Sequence, residues 1–270
     1  MYSIDGVPLQ NTANGWRLKR SSEPRVSRSF TRATFQAAGR DGTASVRGYA
    51  PAPTMTLVVS TPAAGLEALL QLMTLGGSVS LTADPGKVYA VEAITVTPVT
   101  IAIAGTGVYE VTAVYRIPGV WMRDAATTDW IGQLAANAGV GSVNLAVLTA
   151  SSAPVRDAKI LVQGAIASPK FLAQNGTWVS FTGTTPTQAN GGALMIDTAR
   201  SRCWVNPSGG DLWGTAGAYD QSGSLNFGAY PYALELAPSS TALGATLTLS
   251  WASVNEPATV TIRAANAYNR

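Results

Sequence analysis

Apolar and polar residues alternate in short stretches through most of the chain, and Gly, Pro, Ser and Asn interrupt the alternation at close intervals. In residues 246–251, Leu247, Leu249 and Trp251 point one way, and Thr246, Thr248 and Ser250 the other. A period of two predicts a half-buried strand. Residues 258–263 repeat it with Ala258, Val260 and Ile262 inward, and Asn255-Glu256-Pro257 between the two reads as a hairpin loop. Tyr109, Val111, Ala113 and Tyr115 alternate likewise, as do Ala158, Ile160 and Val162. Residues 88–94 are mostly apolar, which predicts a strand covered on both faces.

Residues 62–75 follow a different period. Leu66, Leu69, Leu70 and Met73 recur at helical spacing. Thr61 suits the N-cap, Pro62 the first helical position and Gly76 the position just past the end. The apolar stripe predicts packing on a sheet. A second, shorter helix is predicted from Thr128 to about Asn137, although Gly132 weakens it by about 1 kcal/mol. It reads as a joint, because only strand and turn patterns follow residue 142. The chain is therefore predicted to be mainly β. Residues 1–124 form a domain with one packed helix, 125–141 a linker with a possible short helix, and 142–270 an all-β sandwich.

Composition narrows the chemistry. There is no histidine, which removes Ser-His-Asp and Cys-His catalysis and His-ligated metals. The single Cys203 has no partner for a disulfide, and with Arg202 on the opposite strand face and no base it reads as a buried structural thiol. The carboxylates Asp197, Asp211, Asp220 and Glu235 are scattered, and Asp197, at a strand end, suits turn chemistry better than hydrolysis. Gly39-Arg40-Asp41-Gly42 and Asp84-Pro85-Gly86-Lys87 match no phosphate-binding or dinucleotide fingerprint and read as turns. No cofactor and no metal are expected, and the reading is non-enzymatic. No apolar run is long enough for a membrane helix, and the opening residues do not read as a signal peptide.

Charge is uneven. Charged residues are 12% of the chain against an ordinary share of about 25%. Residues 1–50 hold eight basic and three acidic residues, a balance of +5 within a net charge of +3. Arg17 and Lys19 share one strand face, with Trp16 and Leu18 on the other; Arg28 and Arg32 share theirs with Val26 and Phe30. Guanidinium groups mixed with Phe and Val suit a sheet surface buried against another protein, so Arg17, Lys19, Arg28, Phe30 and Arg32 are candidate subunit-interface residues. A solvated strand face and a nucleic-acid patch are the competing readings, the latter without an accompanying motif. Trp204, Trp213 and Tyr219 lie near Gly-rich loops. They are candidate glycan contacts, with core or subunit contact the alternative.

The opening Tyr2-Ser-Ile-Asp-Gly-Val-Pro8, the strand–helix order over 54–75 and the passage Leu81-Thr-Ala-Asp-Pro-Gly-Lys-Val-Tyr89 resemble the distal tail proteins of long-tailed (siphovirus-type) bacteriophages. Tyr115-Arg-Ile-Pro-Gly-Val-Trp121 is similar to the close of that family's first domain, with Ile117 where an Asp is common. Ala158-Lys-Ile-Leu-Val162, Pro169-Lys-Phe171 and Leu194-Met-Ile-Asp197 resemble its galectin-like second domain. The resemblance implies a tail-tube-like first domain and a galectin-like sandwich. It implies a homo-hexameric ring at the distal end of the virion tail, contacting the tail tube protein and the hub, baseplate and receptor-binding proteins. Genomic DNA would pass only transiently, and Arg17, Lys19, Arg28 and Arg32 would mostly meet protein neighbours rather than the channel. The long receptor-binding arm of some members has no counterpart here. A lectin-like adhesion module and a tail tube or terminator protein are the alternatives.

Overall fold

In the computed structural model of the chain, the described residues are 1–20, 22, 34–35, 44–45, 52–100, 107–119, 121–187, 192–206, 211–228, 234–238 and 242–268. They fall into two compact units, Met1–Ala125 and Ala126–Asn269. Among them the architecture is mainly β with one α-helix, the predicted fold class.

The first unit runs β1 (Tyr2–Ile4), β2 (Val7–Pro8), β3 (Arg17–Leu18), β4 (Thr34–Phe35), β5 (Ala44–Ser45), β6 (Thr54–Pro62), α1 (Ala63–Leu75), β7 (Ser78–Leu81), β8 (Asp84–Ala90), β9 (Glu92–Thr100), β10 (Val108–Arg116) and β11 (Met122–Asp124). Antiparallel pairing orders them β2-β1-β7-β8-β11 and β3-β6-β10-β9, with β4 and β5 as a separate pair. Leu57 and Val59 of β6, Val111, Ala113 and Tyr115 of β10, and Leu69 and Met73 of α1 are fully buried. The phenol of Tyr115 donates to the Met73 carbonyl at 2.8 Å, tying helix to sheet.

Helix α1 starts one residue later than its sequence suggests. Pro62 pairs with Val108 as the end of β6 and stays extended (ψ 163°), so it is the N-cap rather than the first helical residue. Gly76 has φ −63°, so it does not serve a left-handed cap. It is glycine because a Cβ there would lie 2.2 Å from the Ile4 side chain. Asp5 (φ 47°) and Gly6 (φ 80°) make the two-residue turn joining β1 to β2, the combination a tight hairpin requires. The Asp5 carboxylate accepts hydrogen bonds from the Gly77 and Ser78 amides and the Ser78 hydroxyl, at 3.1, 2.9 and 2.7 Å. The opening segment is thus clamped to the chain leaving α1.

The expected strand over residues 88–94 is two strands. The chain crosses from one sheet to the other at Val91, whose side chain is buried and whose amide donates to Gly77 O. Apolar run length misled because the run spans a crossover; β9 is an edge strand, and Ile94 is 54% exposed.

The second unit contains β12 (Thr128–Leu134), β13 (Gly141–Val147), β14 (Lys159–Gln163), β15 (Ile166–Ala167), β16 (Lys170–Ala173), β17 (Trp178–Phe181), β18 (Ala193–Asp197), β19 (Arg202–Asn206), β20 (Tyr219–Asp220), β21 (Leu225–Phe227), β22 (Ala245–Trp251), β23 (Ser253–Val254) and β24 (Ala258–Ala264). Two antiparallel sheets form, β12-β24-β14-β18-β19-β20 and β13-β22-β16-β17-β21. Strand β22 alternates buried and half-buried residues along its whole length, as its sequence predicts.

Two expectations fail here. Residues 128–134 are a strand paired residue for residue with β24, not a helix. Gly132 and Leu134 turn inward and Gln133 outward, a period of two that the apolar Ile131, 64% exposed, disguises. Gly132 admits the Leu145 side chain of the other sheet, which a Cβ would approach to 2.6 Å. Residues 255–257 are not a hairpin loop, since β22 and β24 belong to different sheets. Between them β23 pairs with β15, and Val254 exchanges backbone hydrogen bonds with Asn137, so the segment turns a sandwich corner.

Candidate interaction surfaces

In the first unit, alternation along residues 16–19 sets two faces. Trp16 is buried, and its indole N–H donates to Gly65 O of α1 at 3.1 Å. Lys19 lies on the opposite side, 3.7 Å from Glu110 of β10. Arg17 pairs with Ser60 across the β3–β6 ladder and is exposed. Arg28, Phe30 and Arg32 lie outside the described residues.

In the second unit, the register places Ile131, Thr261, Leu161, Met195 and Trp204 in one row across the outward face of the six-stranded sheet. Residues 211–218 cross over that row. Leu212, Trp213 and Ala218 pack on Leu161, Met195 and Trp204, leaving Trp204 only 8% exposed. The covering loop is fixed from below by the Asn206 amide, which donates to Leu212 O at 2.7 Å and Gly214 O at 3.2 Å. At its tip, the Arg263 guanidinium lies 3.9 Å from the centre of the Trp213 ring and donates twice to the Asp129 carboxylate at 2.7 Å. The Arg263 hydrogen bond holds the Asp129 carboxyl below its ordinary range, and Asp129 in turn raises Arg263. Of the three candidate glycan contacts, Trp204 lies beneath this loop, Trp213 is half-buried within it, and Tyr219 is 65% exposed.

The candidate chemical groups are engaged structurally. Glu235 is buried; it accepts from Arg156 Nε at 2.6 Å and from the Asn175 amide at 3.1 Å. Asp197 accepts from the Arg200 amide at 3.1 Å and closes the turn after β18. Burial, with a smaller contribution from Asp220, pushes the Cys203 thiol up to about 12, so it carries little thiolate at neutral pH. Among the described residues no group of three His, Cys, Asp or Glu side chains is placed to hold a metal ion.

Two clamps were missed from sequence. Asp5-Gly6 carried a signal, since Asp-Gly is a strong marker of a tight hairpin. The Asp129–Arg263–Trp213 stack carried none, because β12–β24 register and loop path bring together residues up to 134 positions apart.

No protein-family profile and no curated protein matches the sequence. Solved structures do match its fold. The Dit protein of phage SPP1, described as a paradigm of the hub of the adsorption apparatus in phages infecting Gram-positive bacteria, superposes with a TM-score of 0.58 at 12% identity. The match covers 98% of each chain. Two structures of the phage p2 baseplate in its activated conformation, with calcium and with strontium, give TM-scores of 0.39 at 10% and 11% identity, over 93% and 94% of this chain and 91% of theirs. Over nearly its whole length, then, this chain has the fold of the SPP1 Dit hub protein.

Proposed function

We propose that the protein is a structural component of a bacteriophage tail tip, forming a ring that continues the tail tube and serves as an attachment hub. The observation that carries this reading is the fold likeness to SPP1 Dit across 98% of both chains. The first unit makes the ring and the second serves as the platform for baseplate and receptor-binding proteins. The ring is homo-hexameric, sits at the distal end of the tail in the virion and lets genomic DNA through without holding it. The protein is non-enzymatic in this reading. A closed ring needs two different complementary surfaces on each subunit, and Arg17 belongs to one of them.

The test is the mass of the purified full chain over a range of concentrations and salt, with and without isolated tail tubes. A discrete hexamer, or hexamers formed on tube ends, is expected. A chain that stays monomeric and ignores tube ends overturns the reading. A glycan screen of the full chain decides the adhesion alternative, for which Tyr219 is the exposed aromatic of the three candidates.

A further inference from the structure

Helix α1 presents an outer face unlike that of an ordinary surface helix. Ala64, Glu67, Ala68, Gln71 and Leu75 are exposed, Leu75 by 73%, yet Glu67 is the only charged residue among its thirteen. Helix faces that stay in water normally carry several charges. Glu67 is also singular in the unit. The other carboxylates among the described residues of the first unit are engaged: Asp5 by Gly77 and Ser78, Asp84 by Lys87, Glu92 by Arg116, Glu110 by Lys19, and Asp124 as well. Among the same residues, the guanidinium groups of Arg17 and Arg20 meet no carboxylate.

Arg17 and Glu67 lie on opposite sides of the sheet β3-β6-β10-β9. Trp16, next to Arg17, reaches α1 through Gly65, so alternation turns Arg17 to the face away from the helix, where Lys19 meets Glu110. Beside Arg17 a cleft of about 440 Å³ opens at the β3 edge of the sheet, lined also by Trp16, Ser60, Thr61, Pro62 and Val108. It offers a guanidinium that meets no carboxylate among the described residues, hydroxyl groups at its polar side, and Pro and Val at its apolar side. That chemistry suits a carboxylate projecting from an apolar, small-residue surface.

We infer that the outer face of α1 docks on a second copy of this chain, with Glu67 entering the cleft beside Arg17 of the next subunit. This rests on the ring reading above. The two surfaces are different and complementary, so the contact repeats head to tail. An exposed ion pair adds little affinity. Its part is to set register and to reject misaligned partners, while the helix face supplies the apolar area.

The experiment is sedimentation of the full chain across concentration and salt, with circular dichroism confirming the fold of each variant. Arg17→Glu or Glu67→Arg alone is expected to raise the concentration for half-assembly by about tenfold or more, because like charges then face each other. The double variant, which restores opposite charges, is expected to return to within about threefold of the unaltered chain. The milder Arg17→Gln and Glu67→Gln are expected to assemble with a shallower salt dependence. If the single reversals assemble as the unaltered chain does, or the double variant fails to recover, the Arg17–Glu67 contact is wrong while the ring stands. A chain that assembles neither alone nor on tail tubes removes both.

Discussion

In the second unit, charged side chains find partners close at hand: Arg156 on Glu235, Arg200 on Asp197, Arg202 on Asp220, Arg263 on Asp129. The outward face of its six-stranded sheet is roofed by its own loop, which covers Leu161, Met195 and Trp204. The first unit leaves Arg17, Arg20 and Glu67 without opposite charges among the described residues, an apolar-rich helix face in water, and an edge strand with Ile94 and Val99 more than half exposed. The difference lies in charge pairing rather than in apolar exposure, since Ile131, Val140 and Leu243 of the second unit are more than half exposed as well.

Four perturbations sharpen or break that contrast, and hydrogen exchange read unit by unit locates each effect. The largest is expected for Glu235→Ala, which leaves the Arg156 guanidinium and the Asn175 amide without their shared acceptor. About 3 kcal/mol is expected, the low end for breaking a buried pair because Arg156 is 42% exposed. Protection should fall in the second unit; equal loss in the first would show that the units do not hold their own stability. Next is Gly76→Ala, whose Cβ would be forced against Ile4 and Leu72 O. A loss of about 2 kcal/mol is expected in the first unit, and an unchanged melting temperature would contradict the close approach.

Trp213→Ala removes the ring from Arg263 and part of the roof over Met195. About 1 kcal/mol is expected, with fluorescence of the remaining tryptophans red-shifted as Trp204 meets water. Unchanged emission would mean the loop stays shut without its stacking contact. The smallest effect is the pH response of the Asp5 clamp. Burial raises its carboxyl, but the hydrogen bonds from Ser78 and Gly77 outweigh that and leave it below the ordinary 3.8. A carboxyl lowered by folding stabilises the folded state fully above its unfolded value and loses that contribution as pH falls through the folded one. Asp5→Asn should therefore flatten the acid limb below about pH 4 and leave stability at neutral pH little changed in its pH slope; an identical acid limb would deny the clamp any electrostatic part.

How far the sequence reaches depends on whether a local period is controlled by one neighbour or several. Strand β22 was legible because one sheet covers one of its faces, so burial follows its alternation. Helix α1 was legible through its stripe and punctuation, with a one-residue error where strand pairing holds Pro62 extended. Residues 128–134 were misread because Trp130, Ile131 and Leu134 imitate a helical stripe, and only pairing with β24 reveals the strand. Strand β14 shows the same limit. Ile160 and Val162 were expected inward, but Leu161 is buried too, because a loop fifty residues later covers it. For the surfaces, that Arg17 and Glu67 meet no opposite charge among the described residues was invisible, since ion pairing depends on where distant charges are brought by the fold.

The pairing pattern also imposes a timetable on synthesis. The ladders that pair β1 with β7, β6 with β10 and β8 with β11 join residues between Tyr2 and Asp124, so they can form once that stretch has left the ribosome. The opening strands of the second unit have no such freedom. β12 pairs with β24 and β13 with β22, each across about a hundred residues or more. Contacts of long sequence separation form late because the intervening chain must be closed into a loop first. The nascent second unit must therefore carry Trp130 and Leu145 unpaired until translation is nearly finished, while the first unit is free to fold and wait.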